Sequence, residues 1–283
     1  MRTGVELKQL LTQIKANNYQ TQIPAIDGIV ADMLKYIGDI DPELRDELIY
    51  SIFWKWTVKG VLSAEQMKSM LSVCLDNDHL FFGLGEKNTD SVFTRTFSVL
   101  LVPLAMYMNQ QNAFLSDAEA LNIKETVLRY IRREKDFRGY VEGRGWAHAM
   151  AHAADALDDI AKLDCIGRDD LLEILDVVKE KMSNRDWVYS CEEDERMTTA
   201  FMAVYRRKLL TDKDIADWLD SFRIIKNRDV YDYFQQINQK NFLRSLYFRF
   251  LPQEGADELQ KEMFKFFLET SIPKILKTKE KNT

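Results

Sequence analysis

Apolar residues recur at helical spacing along most of the chain, with polar residues between them. This periodicity predicts amphipathic helices. Short junctions at Ser63, Ser116, residues 166–170 and Thr211 divide the apolar stretches into pairs. The predicted helical pairs are 42–60 with 64–77, 91–110 with 117–134, 146–162 with 168–183, 192–208 with 212–222, and 228–250 with 255–277.

Most junctions also carry a signal that starts a helix. Ser63, Ser116 and Ser190 are each followed three residues later by Gln or Glu, and Thr211 is a weaker relative with Asp at that position. In such a capping box the hydroxyl oxygen accepts a hydrogen bond from an amide that the first helical turn leaves unpaired. We therefore expect new helices directly after these residues.

The junctions are spaced at nearly the length of one helical pair in a repeat protein. The sequence thus predicts an all-α fold of antiparallel helical pairs that form a curved HEAT-like or armadillo-like superhelix. One irregular α/α globule is the alternative. We expect a single domain over residues 1–283, with N-terminal helices in 1–40, the helical-pair array in 41–277 and a frayed basic tail in 278–283.

The composition supports long helices. The chain has only 11 Gly and 5 Pro among 283 residues, and 46% of its residues are hydrophobic. So few turn-forming residues argue against a β-sandwich, a β-barrel or a glycine-rich nucleotide fold. The hydrophobic share is large enough for a folded core.

Charge and cysteine content limit the partners and the cellular compartment that we expect for the protein. A net charge of −6 brings no general attraction to nucleic acid or to anionic lipid, so we expect neither as a partner. Cys74, Cys165 and Cys191 are widely spaced, which favours reduced thiols over a disulfide framework or a zinc knuckle. Residues 1–10 lack the apolar core of a signal peptide, and the longest apolar run, 99–108, is about half of a membrane span. We expect a cytoplasmic protein.

The segment 136–160 is the most informative part of the chain. It begins with three of the eleven glycines in ten residues, which indicates a shaped loop, and continues into an alanine-rich helix predicted from Trp146. At about 100° per residue, one narrow stripe of that helix carries His148, His152, Asp155 and Asp159. Trp146 falls on the opposite, apolar face, which we expect to pack into the core.

Three interpretations of this stripe remain open. His148 and His152, one turn apart, could bind a metal ion with Asp155 as the third ligand, although the glutamate of H-E-x-x-H is replaced by Ala149. The stripe could instead line a polar groove for a ligand or partner, joined by loop residues Arg138 and Arg144. In the third interpretation both histidines are structural. In each case we expect neighbouring carboxylates to raise a histidine pKa.

Two arginines outside the stripe need partners. Arg196 could pair with acidic residues in the first turn of its own helix, or reach the histidine helix of the preceding pair. Arg95 lies among apolar residues, and a buried arginine requires a compensating carboxylate, for which Glu86 and Asp90 are the candidates.

The stripe also carries a resemblance to a known family. The resemblance rests on Leu84-Gly85-Glu86, on Asp90-Ser91-Val92-Phe93-x-Arg95-x-Phe97-Ser98, on Glu193-Asp194-Glu195-Arg196, and on Arg144-Gly145-Trp146-x-His148-Ala149-x-Ala151-His152-x-Ala154-Asp155. These segments resemble a bacterial family known as domain of unknown function 2785. The resemblance implies an all-helical cytoplasmic protein and supplies no catalytic residue.

Our first functional hypothesis is a binding or scaffolding protein without a cofactor, acting on an unknown protein or small molecule. Its groove would be lined by His148, His152, Asp155 and Asp159, with the three arginines 138, 144 and 196 beside them. The alternative is a metal-dependent or histidine-based hydrolase that uses the same residues.

Overall fold

Helices form most of the protein, as the periodicity predicts. The computed structural model describes residues 1–20, 26–222, 229–252, 259–261 and 263. In this part of the chain, 67% of the structure is helical and the one sheet has two strands. The α-helices are α1 (Gly4–Ala16), α2 (Ile26–Lys35), α3 (Ser51–Val58), α4 (Ala64–Cys74), α5 (Ser91–Val99), α6 (Val102–Gln111), α7 (Asp117–Arg133), α8 (Ala149–Ala161), α9 (Arg168–Met182), α10 (Glu193–Arg206), α11 (Asp212–Asp220) and α12 (Val230–Phe250).

Three of the four predicted capping boxes are confirmed. Ser63, Ser116 and Thr211 each accept a hydrogen bond from the amide three residues on, and the side chain at that position bonds back to the cap. The prediction for Ser190 is wrong, because α10 begins only at Glu193 and its N-cap is Glu192 in a left-handed conformation. The second helix of the last predicted pair, 255–277, lies mostly outside the described residues, and the tail 278–283 lies wholly outside them.

One predicted helix has an unexpected form. The range 42–60 is an eight-residue π-helical segment, Glu43–Tyr50, that runs directly into α3. Its N-cap is Pro42, and the carboxylate of the preceding Asp41 accepts a hydrogen bond from the Glu43 amide at 3.0 Å. π-Helices of this length are rare and often occur at functional sites.

Helix α8 lies at the centre of the fold. It packs against α5, α6, α7, α9 and α10. Its alanines, among them Ala151, Ala154 and Ala156, are fully buried, so neighbouring backbones can approach closely. The helix that carries the candidate residues is therefore held rigidly on several sides.

Part of the core is apolar enough to cross a membrane by length and composition. Within this stretch, Ser91–Gln111, the most apolar 18 residues have a mean hydropathy of 1.4, and 72% of them are buried inside the fold. It comprises α5 and α6. Such burial is typical of the core helices of globular proteins, which can be equally long and apolar.

Arg95 on α5 is fully buried, and its partner is Glu134 rather than Glu86 or Asp90. The guanidinium donates to Glu134 at 2.7 and 3.0 Å, and to Ser91 and two loop carbonyls at 2.8 to 3.1 Å. Glu86 instead accepts from the hydroxyls of Thr89 and Ser91. The sequence correctly indicated a buried arginine but not its partner, which lies 39 residues away at the end of α7.

Candidate functional site

A short β-hairpin precedes α8. Its strands, β1 (Tyr140–Val141) and β2 (Gly145–Trp146), pair antiparallel. Gly145 has a φ of +77°, and a Cβ there would lie 2.8 Å from Pro42 and 3.0 Å from the Arg45 guanidinium. Only glycine fits both the backbone conformation and the space. The hairpin is thereby packed directly against the π-helical segment.

The hairpin corrects the predicted start of the histidine helix. Trp146 belongs to β2 and is 42% exposed, so it is not on the core side of a helix. The amides of Ala147 and His148 donate to the carbonyls of the two residues that directly precede β1. The helix begins only at Ala149. His148 is the N-cap and adopts a left-handed conformation with a φ of 51°. The helix that was predicted from Trp146 therefore begins three residues later, and His148 lies at its N-cap rather than on its polar stripe.

His148 is mostly buried between the hairpin and α10. Its ring stacks on Trp146 with centroids 4.6 Å apart. Its Nε2 donates to the Cys191 carbonyl oxygen at 2.6 Å and lies 3.8 Å from the carboxylate of Glu193, which is also buried. The hydrogen bond fixes the ring and leaves Nδ1 unprotonated when the imidazole is neutral.

His152 is buried beneath His148. The two ring centroids are 5.6 Å apart, and Phe97 lies edge-on at 5.2 Å from His152. Burial, helped by the nearby His148, lowers the pKa of His152 to about 3. The expectation of a raised histidine pKa is wrong here, because loss of solvation outweighs the attraction of any carboxylate. His152 also does not face open space.

Asp155 of α8 forms an ion pair with a second helix, α10. Arg196 Nη1 on α10 lies 2.8 and 2.9 Å from the two Asp155 oxygens. Burial raises the pKa of Asp155, although Arg196 opposes this. Arg196 thus reaches the histidine helix rather than its own first turn. Asp159 pairs at 2.9 Å with Lys162, the residue that caps the end of α8.

The two loop arginines lie elsewhere. Arg138 donates to Asp136 at 2.6 and 2.8 Å and to the Thr89 carbonyl at 2.7 Å. Arg144 forms an ion pair with Asp90. Both tie the hairpin to the loop before α5, and neither contacts an imidazole in the described structure. Through these contacts the two arginines anchor the hairpin.

The sequence analysis missed the contribution of the π-helical segment. Asp46 lies beside the hairpin strand β2, and burial raises the pKa of its carboxyl to about 6, although Arg45 and the Trp146 amide oppose this. Tyr50 packs edge-on to Phe97 at 6.5 Å, and burial together with Asp155 raises its pKa to about 12. No sequence motif predicts these two residues as part of the site, because they reach it only when the π-helical segment packs against the distant hairpin.

The possible metal ligands do not coincide with the histidines. Among the described residues, the donor atoms close enough to share an ion belong to Glu125, Asp170 and Glu173. Lys124 already lies 2.6 to 2.8 Å from all three carboxylates. An ammonium at the centre supplies the positive charge that a cation would otherwise bring.

Comparison with known proteins identifies a family. Residues 80–248, more than half of the chain, match the family model described as protein of unknown function (DUF2785). No curated protein and no solved structure matches the chain. The matched range contains the hairpin, α8 and α10.

Proposed function

The chain belongs to the DUF2785 family of proteins of unknown function, and on that premise we propose that it is a binding protein whose ligand or partner contacts one surface. We call this the hairpin surface, and it comprises Tyr50, Trp146, His148, Asp155 and Arg196. It replaces the groove that the sequence suggested, since His152 lies beneath it as support.

The orientation of Trp146 carries this proposal. Its indole is 42% exposed, yet it stacks on His148 and lies 5.2 Å from the Tyr140 ring. An aromatic side chain that is already fixed loses little conformational entropy when it binds a partner. Exposed and immobilised tryptophans are frequent anchors of interfaces.

Backbone strain supports the same location. His148 and Glu192 are non-glycine residues with φ values of 51° and 65°, and they cap α8 and α10. Each such conformation costs about 1 kcal/mol or more and persists where surrounding contacts enforce it. Strained residues of this kind cluster at ligand clamps and active sites.

The test is differential capture from a cell lysate. Bound proteins and small molecules are identified by mass spectrometry for the unaltered protein, for Trp146→Ala and for Trp187→Ala, a control because Trp187 is 40% exposed elsewhere. We expect a component that Trp146→Ala loses and Trp187→Ala keeps, and that binds again when purified and titrated. Identical sets for all three proteins would contradict the proposal.

A histidine-based hydrolase is the second candidate. The observation in its favour is the buried Glu193 carboxylate 3.8 Å from His148 Nε2, since a carboxylate that orients an imidazole is a common feature of general-base catalysis. Hydrolysis of p-nitrophenyl acetate tests it. Activity lost in both His148→Ala and Glu193→Gln but kept in His79→Ala would favour the hydrolase, and equal background rates would eliminate it for esters.

We also propose that the helical pairs form a curved HEAT-like or armadillo-like array, acting in the cytoplasm. The contacts support stacking of successive pairs, since first helices pack on first helices (α6 on α8, α8 on α10, α10 on α12) and α7 packs on α9. The three cysteines are free, in keeping with a reducing compartment. Small-angle scattering tests the shape, because a stacked array is more elongated than a globule of equal length.

A further inference from the structure

A cavity separate from the hairpin surface opens between α2 and α4. Its volume is about 450 Å³, which is within the range of small-molecule sites. Val30, Leu34 and Val73 form its apolar wall, and the first two are at most 8% exposed. The cavity is therefore large enough and apolar enough to bury a hydrocarbon chain.

The polar groups at the two ends of the cavity differ. At one end Gln66 Nε2 donates to the Asp27 carboxylate at 2.6 Å, so this carboxylate already has a partner. Lys35 follows about two turns later on α2, about 12 Å from Asp27. His79, which follows α4, also lines the cavity and contacts Asp76 at 2.9 Å.

Lys35 contributes an exposed positive charge to this cavity, which Met1 also lines. Its side chain is exposed, and its Nζ lies 5.0 Å from the Tyr36 ring centroid. Within the described residues it forms no ion pair, whereas Lys8, Lys15 and Lys68 each do. An apolar wall that ends at an unpaired ammonium is complementary to an apolar molecule with one negative end.

We propose that this cavity binds a monocarboxylate with an unbranched apolar body. The chain lies along Val30, Leu34 and Val73, and the carboxylate pairs with Lys35. Asp27 at the other end, although held by Gln66, repels a second negative group and so disfavours dicarboxylates. This inference is independent of the function proposed for the hairpin surface.

Calorimetric titration of the intact protein with three ten-carbon probes tests the proposal. Decanoate, decanol and decyltrimethylammonium share one apolar body and differ in the charge of the head group. We expect decanoate to bind most tightly and decyltrimethylammonium most weakly. Undetectable binding of decanoate, or equal binding of the cationic probe, would overturn the proposal.

Two variants locate the bound probe. Lys35→Gln should weaken decanoate about two- to fivefold, as for a partly exposed ion pair, and leave decanol unchanged. Ala31→Trp, at an exposed position of α2 that lines the cavity, should abolish binding of both. The control is Lys68→Gln on α4, whose lysine pairs with Glu119. Circular dichroism confirms that each variant is folded, and unchanged decanoate affinity in a folded Ala31→Trp would refute the site.

Discussion

Arg45 and Arg95 are both fully buried, yet their carboxylate partners are held differently. Glu134 receives two well-formed hydrogen bonds from Arg95 and two more from the amides of residues 135 and 136. Asp46 Oδ1 lies 2.7 Å from Arg45 Nε, but the contact has poor hydrogen-bond alignment, and both atoms are buried without another partner. The two terminal nitrogens of Arg45 donate to the carbonyls of Asp39 and Arg144.

The Arg95 pair belongs to the structural scaffold, whereas the Arg45 pair lies beside the candidate site. The Arg95 pair is fully satisfied and closes the loop before α5 onto the end of α7. The Arg45 pair lies under the hairpin, where the incompletely satisfied Asp46 has its pKa raised to about 6. A buried carboxylate that is short of partners remains sensitive to pH and to contacts made above it, and a satisfied one does not.

The largest expected effect follows from breaking the satisfied pair. Glu134→Gln removes the negative charge and leaves the Arg95 guanidinium buried without compensation, which should cost about 3 to 5 kcal/mol of unfolding free energy. Urea unfolding at pH 7 measures it, with the exposed Glu142→Gln on the hairpin turn as the control. A loss no larger than the control's would mean that the pair is not what holds this region.

His152 should make the protein sensitive to acid. Its folded pKa of about 3 lies below the ordinary value of about 6.5, so the unfolded state binds more protons and stability falls as the pH falls through that interval. Between pH 7 and pH 5 this amounts to about 2 kcal/mol. His152→Leu should lack this dependence, which denaturant unfolding at both pH values would show. Parallel losses in the two proteins would argue against a neutral buried ring.

Asp46 should act in the opposite direction over the same pH range. Its folded pKa of about 6 exceeds the ordinary value of about 3.9, so the folded state binds more protons and stability rises as the pH falls. Wild type should gain about 1 kcal/mol from this group between pH 7 and pH 5. Asp46→Asn keeps the size of the side chain but removes the titrating group, so it should lose that gain. An unchanged pH profile would place Asp46 among the fully satisfied carboxylates.

The smallest effect is expected at the surface pair. Arg196 is 49% exposed and Asp155 is 25% exposed, so Arg196→Ala should lower stability by less than about 1 kcal/mol. The loss should shrink in concentrated salt, which screens exposed pairs. Thermal unfolding at two salt concentrations tests this, with Lys213→Ala in the exposed pair with Asp217 as a matched control. A loss above about 3 kcal/mol would show that the pair behaves as buried.

Several elements followed from local sequence alone. The helices after Ser63, Ser116 and Thr211 begin where their capping boxes predict, because a cap hydrogen bond involves residues only three positions apart. The same pattern failed at Ser190. There Glu193 accepts from the Cys191 amide instead, and the Cys191 carbonyl accepts from His148 on another element. Another local bond, only two residues apart, and a contact with a distant histidine stand where the capping box was predicted.

The candidate site shows the same division. The sequence determined that the protein is helical and that His152 and Asp155 lie on one helix, since helical periodicity depends on neighbouring residues. Only the tertiary structure decided that Trp146 is exposed on a hairpin, that His152 is buried, and which carboxylates meet Arg95 and Arg196. Burial and ion pairing depend on which distant surfaces pack together, and those contacts join segments 39 and 41 residues apart.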